Sequence, residues 1–326
     1  MPDQLRGVAL LGIILVNVFC FSFGSFSASR MDGAANLDAK MALLGILHGL
    51  LLFAWDILLG YAVLGFVLLG LMRLGSGALI RLAVALAVIF TLGAALFDGV
   101  VDARMPSLEP IYAGGFLESS QARIQAYPWV LLDDVITQWG VALASMIAGL
   151  VAGRAKLLKD PAAWMGRAWR VLGMAAPVGL GLVVIGALFK SGKLAPGLTE
   201  FWSNALFVGV NGAGSFFMAA SYVCALGIAL GSGYSLPGFV AAAGRCSLTI
   251  YLSMSLAMSL LFGKWGLALY NSLSTPATIA VAFGIWLVLS LAAQWWLRRH
   301  DAGPLERFMA AWTKRDHPAA KGQGLP

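Results

Sequence analysis

The sequence predicts an all-α fold: a polytopic transmembrane helix bundle of about nine spans, closed by a C-terminal interfacial amphipathic helix. Three observations carry that expectation. Only 11% of the 326 residues are charged, less than half of the roughly 25% found in soluble domains. Hydrophobic residues make up 60% of the chain, and the mean hydropathy is +0.84. The apolar residues gather in repeated blocks of roughly 17–27, long enough to cross a hydrocarbon core about 30 Å thick. No barrel-like alternation accompanies them, and helices satisfy their own backbone in lipid.

The blocks fall at 7–26, 37–54, 57–73, 79–98, 128–152, 170–189, 203–230, 238–262 and 276–298. The first is longer than the usual signal-peptide core of about 7–15 residues, so it reads as a retained span. Many of the 39 glycines lie within the blocks, where small residues let helix backbones approach closely. Asp301 is placed to cap a last helix beginning near Pro304, with Leu305, Phe308, Met309 and Trp312 on one face. That spacing predicts a helix lying on the cytoplasmic leaflet. Short loops leave one integral-membrane domain, 1–316, and a polar tail, 317–326, expected to be disordered.

Charge placement sets the expected topology. Arg73 with Arg81, the group Arg154, Lys156, Lys159, Arg167 and Arg170, and the group Arg298, Arg299, Arg307, Lys314 and Arg315 mark cytoplasmic segments. This follows the positive-inside rule. The C-terminus is then cytoplasmic, and the acidic loop 99–127 falls outside. The net charge of +7 therefore describes membrane orientation, and no nucleic-acid surface is expected. Nine spans with an inside C-terminus demand an outside N-terminus, whereas Leu5-Arg6-Gly7 looks like a cytoplasmic start. The three cysteines, Cys20, Cys224 and Cys246, sit in apolar runs without metal-ligand spacing, so packing is expected and no metal. Walker A, GxSxG and HExxH patterns are absent from the sequence, and VNGAGS at 210–215 has no preceding strand.

The sharpest chemical feature is the pair His48 and Asp56 in LGILHGLLLFAWDILLGY, residues 44–61. An ionisable group inside a span is costly and marks a functional position by default. An imidazole can take and return a proton during transfer to a hydroxyl or amine. Eight residues along a helix leave two side chains about 80° apart, so the pair meets only if the chain bends near Trp55. The plainer alternative makes Asp56 the N-cap of the next helix and has His48 hydrogen-bonded to a neighbouring helix. Arg6 and Arg245 each stand beside glycine at the start of a span, where an arginine fork can clamp phosphate; ordinary positive-inside anchoring is the alternative. Ser247, Tyr251, Ser255 and Ser259 recur every four residues as a polar stripe that either lines a passage or bonds a neighbouring helix. Asn211 and Tyr222 carry the same ambiguity, and Asp133 and Asp134 precede an apolar run that they can cap.

Four segments resemble the YeiB-like bacterial membrane proteins, a group of unknown function: LRGVALLGIILVNVF, LLGILHGLLLFAWDILLGYAVLG, AAAGRCSLTIYL and WWLRRHDAGPLERF. Family members usually carry one more early span, so the chain is either naturally shortened or a gene model that lost a segment. Cys246, Ile250 and Met254 stand where the family commonly has Met, Asn and Gln. The resemblance implies the bacterial cytoplasmic membrane and a distant relation to membrane acyltransferases. By that analogy, cytoplasmic acyl-CoA is the donor and an extracytoplasmic molecule the acceptor. His48 and Asp56 would be catalytic, with Arg6, Arg245, Tyr251, Ser247 and Ser255 at the substrates. No cofactor is expected to be bound permanently, and the bilayer is the partner. The alternative is a transporter or permease-like protein without acyl chemistry.

Overall fold

A computed structural model describes residues 31–97, 104, 106, 109–155, 161–270 and 272–315, and every regular element among them is helical. The order is α1 (Met31–Leu51), α2 (Leu58–Leu71), α3 (Ser76–Phe97), α4 (Glu109–Ala113), α5 (Phe116–Thr137) and α6 (Trp139–Arg154). Then follow α7 (Pro161–Lys190), α8 (Glu200–Gly231), α9 (Gly238–Arg245), α10 (Ser247–Phe262), α11 (Thr275–Trp296) and α12 (Pro304–Arg315). The expected first span with Arg6 and Cys20, and the tail 317–326, lie outside the described residues.

Among the described residues, four helices are long and apolar enough to span a membrane: Ser76–Phe97, Ala163–Lys190, Glu200–Gly231 and Pro276–Trp296. Two bent pairs raise the number to six: α5 with α6, bent by 52°, and α9 with α10, bent by 90°. Of the nine expected spans, the first lies outside the described residues, and the blocks at 37–54 and 57–73 form helices shorter than a span. Hydropathy counts apolar blocks, whereas crossing needs unbroken length. The block at 57–73 yields α2, whose 14 residues rise only about 21 Å, short of a core about 30 Å thick. The apolar part of α1 is shorter still, Lys40–Leu51. The block at 128–152 is divided at Gln138, and α5 begins twelve positions earlier than the block, inside the segment expected to be an external loop.

Close helix contact uses glycine where expected. At the α7–α8 pair, a methyl group on Gly214 would come 3.1 Å from Leu182 and Val183, and one on Gly179 would come 3.0 Å from Met218 and Phe217. Cys224 and Cys246 are buried free thiols, consistent with packing roles. A core of Leu58, Val240, Ala243, Cys246, Ile250, Tyr251, Met254 and Trp286 joins the start of α2 to α9, α10 and α11.

Helix α12 seals one end of that core. Its Glu306 carboxylate accepts the N–H groups of Leu248 (2.7 Å) and Thr249 (3.1 Å), which lie in the first turn of α10 and have no partner within the helix. The Thr249 hydroxyl donates to the other carboxylate oxygen at 2.5 Å and accepts the Leu305 N–H at 3.0 Å. Each helix start thus caps the other. Asp301 contributes its backbone carbonyl, which accepts from Arg245 Nη2 at 2.7 Å. On the opposite side, Lys40 of α1 donates to the Trp312 carbonyl at 2.8 Å and lies 5.1 Å from the centroid of its ring. Of the expected apolar face, Met309 is buried, while Phe308 is 58% exposed.

Removing this cap has a direct consequence. Glu306→Ala should lower unfolding stability by about 1–2 kcal/mol, in the range of a lost N-terminal cap with favourable helix-dipole charge. Thermal unfolding in detergent checks it, with the exposed Arg307→Ala as a control that stays within about 0.5 kcal/mol of wild type.

Candidate functional site

The site is made where α1 stops and α2 starts. The N–H groups of Leu52 and Phe53 both turn back to the His48 carbonyl, at 2.9 and 3.0 Å, and end the helix. Exposed carbonyls at such an end need other donors. Ser259 Oγ donates to Leu52 O at 3.0 Å, and Arg123 Nε donates to Leu50 O at 3.4 Å. The chain then folds back so that Asp56 faces α1. The bend that the eight-residue spacing requires is present, centred on the Leu52–Ile57 break.

His48 Nδ1 lies 2.7 Å from Asp56 Oδ1. Asp56 Oδ2 accepts the Leu59 N–H at 2.9 Å, so the same carboxylate holds the first turn of α2. The two readings of Asp56, helix cap and histidine partner, are therefore both realised. Tyr251 of α10 completes the group: its hydroxyl donates to Asp56 Oδ1 at 3.4 Å and accepts the Ile57 N–H at 3.4 Å. The Tyr251 and His48 ring centroids are 5.2 Å apart. His48 and Asp56 are 3% and 7% exposed, which removes competing water.

A carboxylate accepts only, so it places the imidazole proton on Nδ1 and leaves a lone pair on Nε2. Nε2 is buried and makes no hydrogen bond among the described residues. Orphaned buried polar atoms are rare in folded proteins. The fold permits this approach because of Gly45: a methyl group there would come 2.6 Å from Asp56 Oδ2 and 2.5 Å from Leu59 N. No group of three or more metal-ligating side chains occurs among the described residues.

The other predicted residues separate. Arg245 is exposed and tied to Asp301. Ser247 opens α10, and Ser255 Oγ donates to the Tyr251 carbonyl at 3.2 Å, within its own helix. Asn211 Nδ2 likewise donates to Phe207 O at 3.1 Å, and Tyr222 is 65% exposed. Of the Ser/Tyr stripe, Tyr251 and Ser259 reach the α1–α2 break. Arg6 lies outside the described residues.

Sequence reasoning missed Arg123 and the Thr249–Glu306 contact. Ser119, Ser120, Arg123, Ala126 and Val130 are the buried face of α5. Their three- and four-residue spacing is helical, but the face is too polar for a hydropathy scan to register.

Comparison with known proteins bears on the C-terminal half. A family model described as protein of unknown function, DUF418, matches residues 152–316. The chain belongs to the DUF418 family. The matched segment of this DUF418 protein contains Arg245, Tyr251, Thr249 and Glu306, whereas His48 and Asp56 precede it. The chain is also similar to the uncharacterised protein YxaH of Bacillus subtilis (strain 168), 23% identical over 339 residues, covering 89% of this chain and 76% of YxaH. No solved structure matches.

Two substitutions test the geometry. Gly45→Ala should destabilise the protein by about 1–3 kcal/mol through overpacking against Asp56 and Leu59. Nitrogen-15 NMR of histidine-labelled protein should find His48 with its proton on Nδ1. Asp56→Ala should remove that preference, whereas a proton fixed on Nε2 in wild type contradicts the assignment.

Proposed function

We propose that this DUF418 protein is a YeiB-like membrane acyltransferase of the bacterial cytoplasmic membrane, with His48 as general base. One observation carries the reading: a buried imidazole has one nitrogen on a carboxylate at 2.7 Å and the other without a partner. Such a nitrogen is suited to receive a proton from a bound substrate. Asp56 orients the ring and stabilises the imidazolium formed during the reaction. Tyr251 holds Asp56 in place from α10.

In the reaction, Nε2 takes the proton of an acceptor hydroxyl or amine as that atom attacks the thioester carbonyl of an acyl-CoA. The carbon–sulfur bond of the tetrahedral intermediate breaks, and the leaving thiolate receives the proton back from His48. The products are the acylated acceptor and free coenzyme A. Donor phosphates arrive from the cytoplasmic side, where Arg245 is exposed beside α12; Arg6, outside the described residues, is assigned to the same donor from the sequence alone. Ser247, at the start of α10, and Ser255, one turn beyond Tyr251, are assigned to the donor and acceptor respectively. The basic residues Arg298, Arg299 and Arg307 support a cytoplasmic C-terminus by the positive-inside rule. Phe308 then enters the lipid interface.

Purified protein in detergent, given acyl-CoA and a hydroxyl or amine acceptor, should release coenzyme A thiol. His48→Ala should reduce that rate by about 10²–10⁴-fold, the usual contribution of a positioned base. Asp56→Asn should also reduce it. An unchanged rate in His48→Ala would sink the proposed role.

A further inference from the structure

Arg123 is buried in α5, 2% exposed, and no carboxylate among the described residues pairs with it. Its hydrogen bonds go to neutral groups at the edge of bonding distance: Leu50 O and Ser120 Oγ, both 3.4 Å. A guanidinium stays charged under all physiological conditions. Burying it without a counter-charge costs several kcal/mol. Capping the end of α1 explains one of its bonds, yet a neutral amide donor would serve that purpose without the charge. The positive charge is in excess of what the fold uses.

Its surroundings point to a ligand. Leu50 is two residues beyond His48, and Tyr127, one turn beyond Arg123, packs against Gly49, where an added methyl would come 2.5 Å from its ring. Tyr112 of α4 also neighbours the guanidinium: burial and Tyr270 push the Tyr112 hydroxyl's pKa up, and Arg123 pulls it down. Tyr112 stacks on Tyr270 with centroids 4.6 Å apart and planes 4° apart, and its carbonyl accepts the Lys264 N–H at 3.0 Å. Tyr112 lies in a five-residue helix, and Lys264 and Tyr270 lie in the segment following α10, all outside the long helices.

We propose that Arg123 anchors an anionic group, a carboxylate or phosphate, of a ligand bound beside the His48 end of α1. The fork of a buried arginine suits the two oxygens of such a group, and the anion supplies a counter-charge that no described residue provides there. The group belongs to a soluble molecule or to the headgroup of an anionic lipid. This inference concerns binding alone and stands whether or not the protein transfers acyl groups.

Thermal unfolding of the full chain decides it, with two probes. Inorganic phosphate is titrated in neutral detergent against chloride of equal ionic strength, and phosphatidylglycerol is added to phosphatidylcholine nanodiscs. Stabilisation of wild type by phosphate supports a soluble anion; stabilisation only by phosphatidylglycerol supports a lipid headgroup. Arg123→Gln should abolish whichever response is seen, and Arg123→Lys should weaken the apparent affinity about tenfold, as expected for loss of a charge-assisted fork. Should Arg123→Gln not yield folded protein, the lysine variant decides alone. No response of wild type to either probe, a wild-type response in Arg123→Gln, or equal affinity in Arg123→Lys overturns the proposal.

Discussion

The Asp56 carboxylate is the point on which the rest of the structure depends. One oxygen holds His48 and the other holds the first turn of α2. A helix interrupted within an apolar bundle leaves backbone groups that lipid cannot satisfy. Here four of those groups are answered by side chains from several elements. Asp56 takes Leu59 N–H, Tyr251 takes Ile57 N–H, Ser259 covers Leu52 O and Arg123 covers Leu50 O. The break is therefore a junction of α1, α2, α5 and α10, and the histidine is held at its centre.

Much of this junction was legible in the sequence, for a physical reason. An ionisable pair in an apolar run is so costly that it stands out by composition, and the 100° rotation per residue says that the pair needs a bend. Tyr251 was visible as part of a four-residue stripe, although the stripe concealed a division of roles: Ser255 bonds its own helix, whereas Ser259 crosses to the break. Arg123 was not legible, because its helix buries a polar face and carries Pro128 inside it. The Thr249–Glu306 contact was hidden by 57 residues of separation. Span counting diverged where an apolar block gave a helix too short to cross, as at Leu58–Leu71.

Two late segments inside the part matched by the DUF418 family model gain a common explanation from this contact. Thr249 belongs to GRCSLTIYL and Glu306 to GPLERF, and they meet as mutual helix caps. Gly303 serves the same contact: a methyl group there would come 2.1 Å from the Glu306 carboxylate and 2.9 Å from the Thr249 hydroxyl. Tyr251 follows Thr249 by two residues, about 3 Å along the helix axis. The side chain that steadies Asp56 is thus held through the start of α10 by a helix lying beside the bundle.

That arrangement orders events during synthesis. The His48–Asp56 pair is made early in translation, and α10 later, but the carboxylate that fixes the start of α10 belongs to α12, near the end of the described chain. With α1 to α11 in place, Tyr251 already packs in the core shared by α2, α9, α10 and α11, but the N–H groups of Leu248 and Thr249 still await the Glu306 carboxylate. The start of α10, with Thr249 two residues before Tyr251, therefore gains its cap only once the last helix described has been made and has docked.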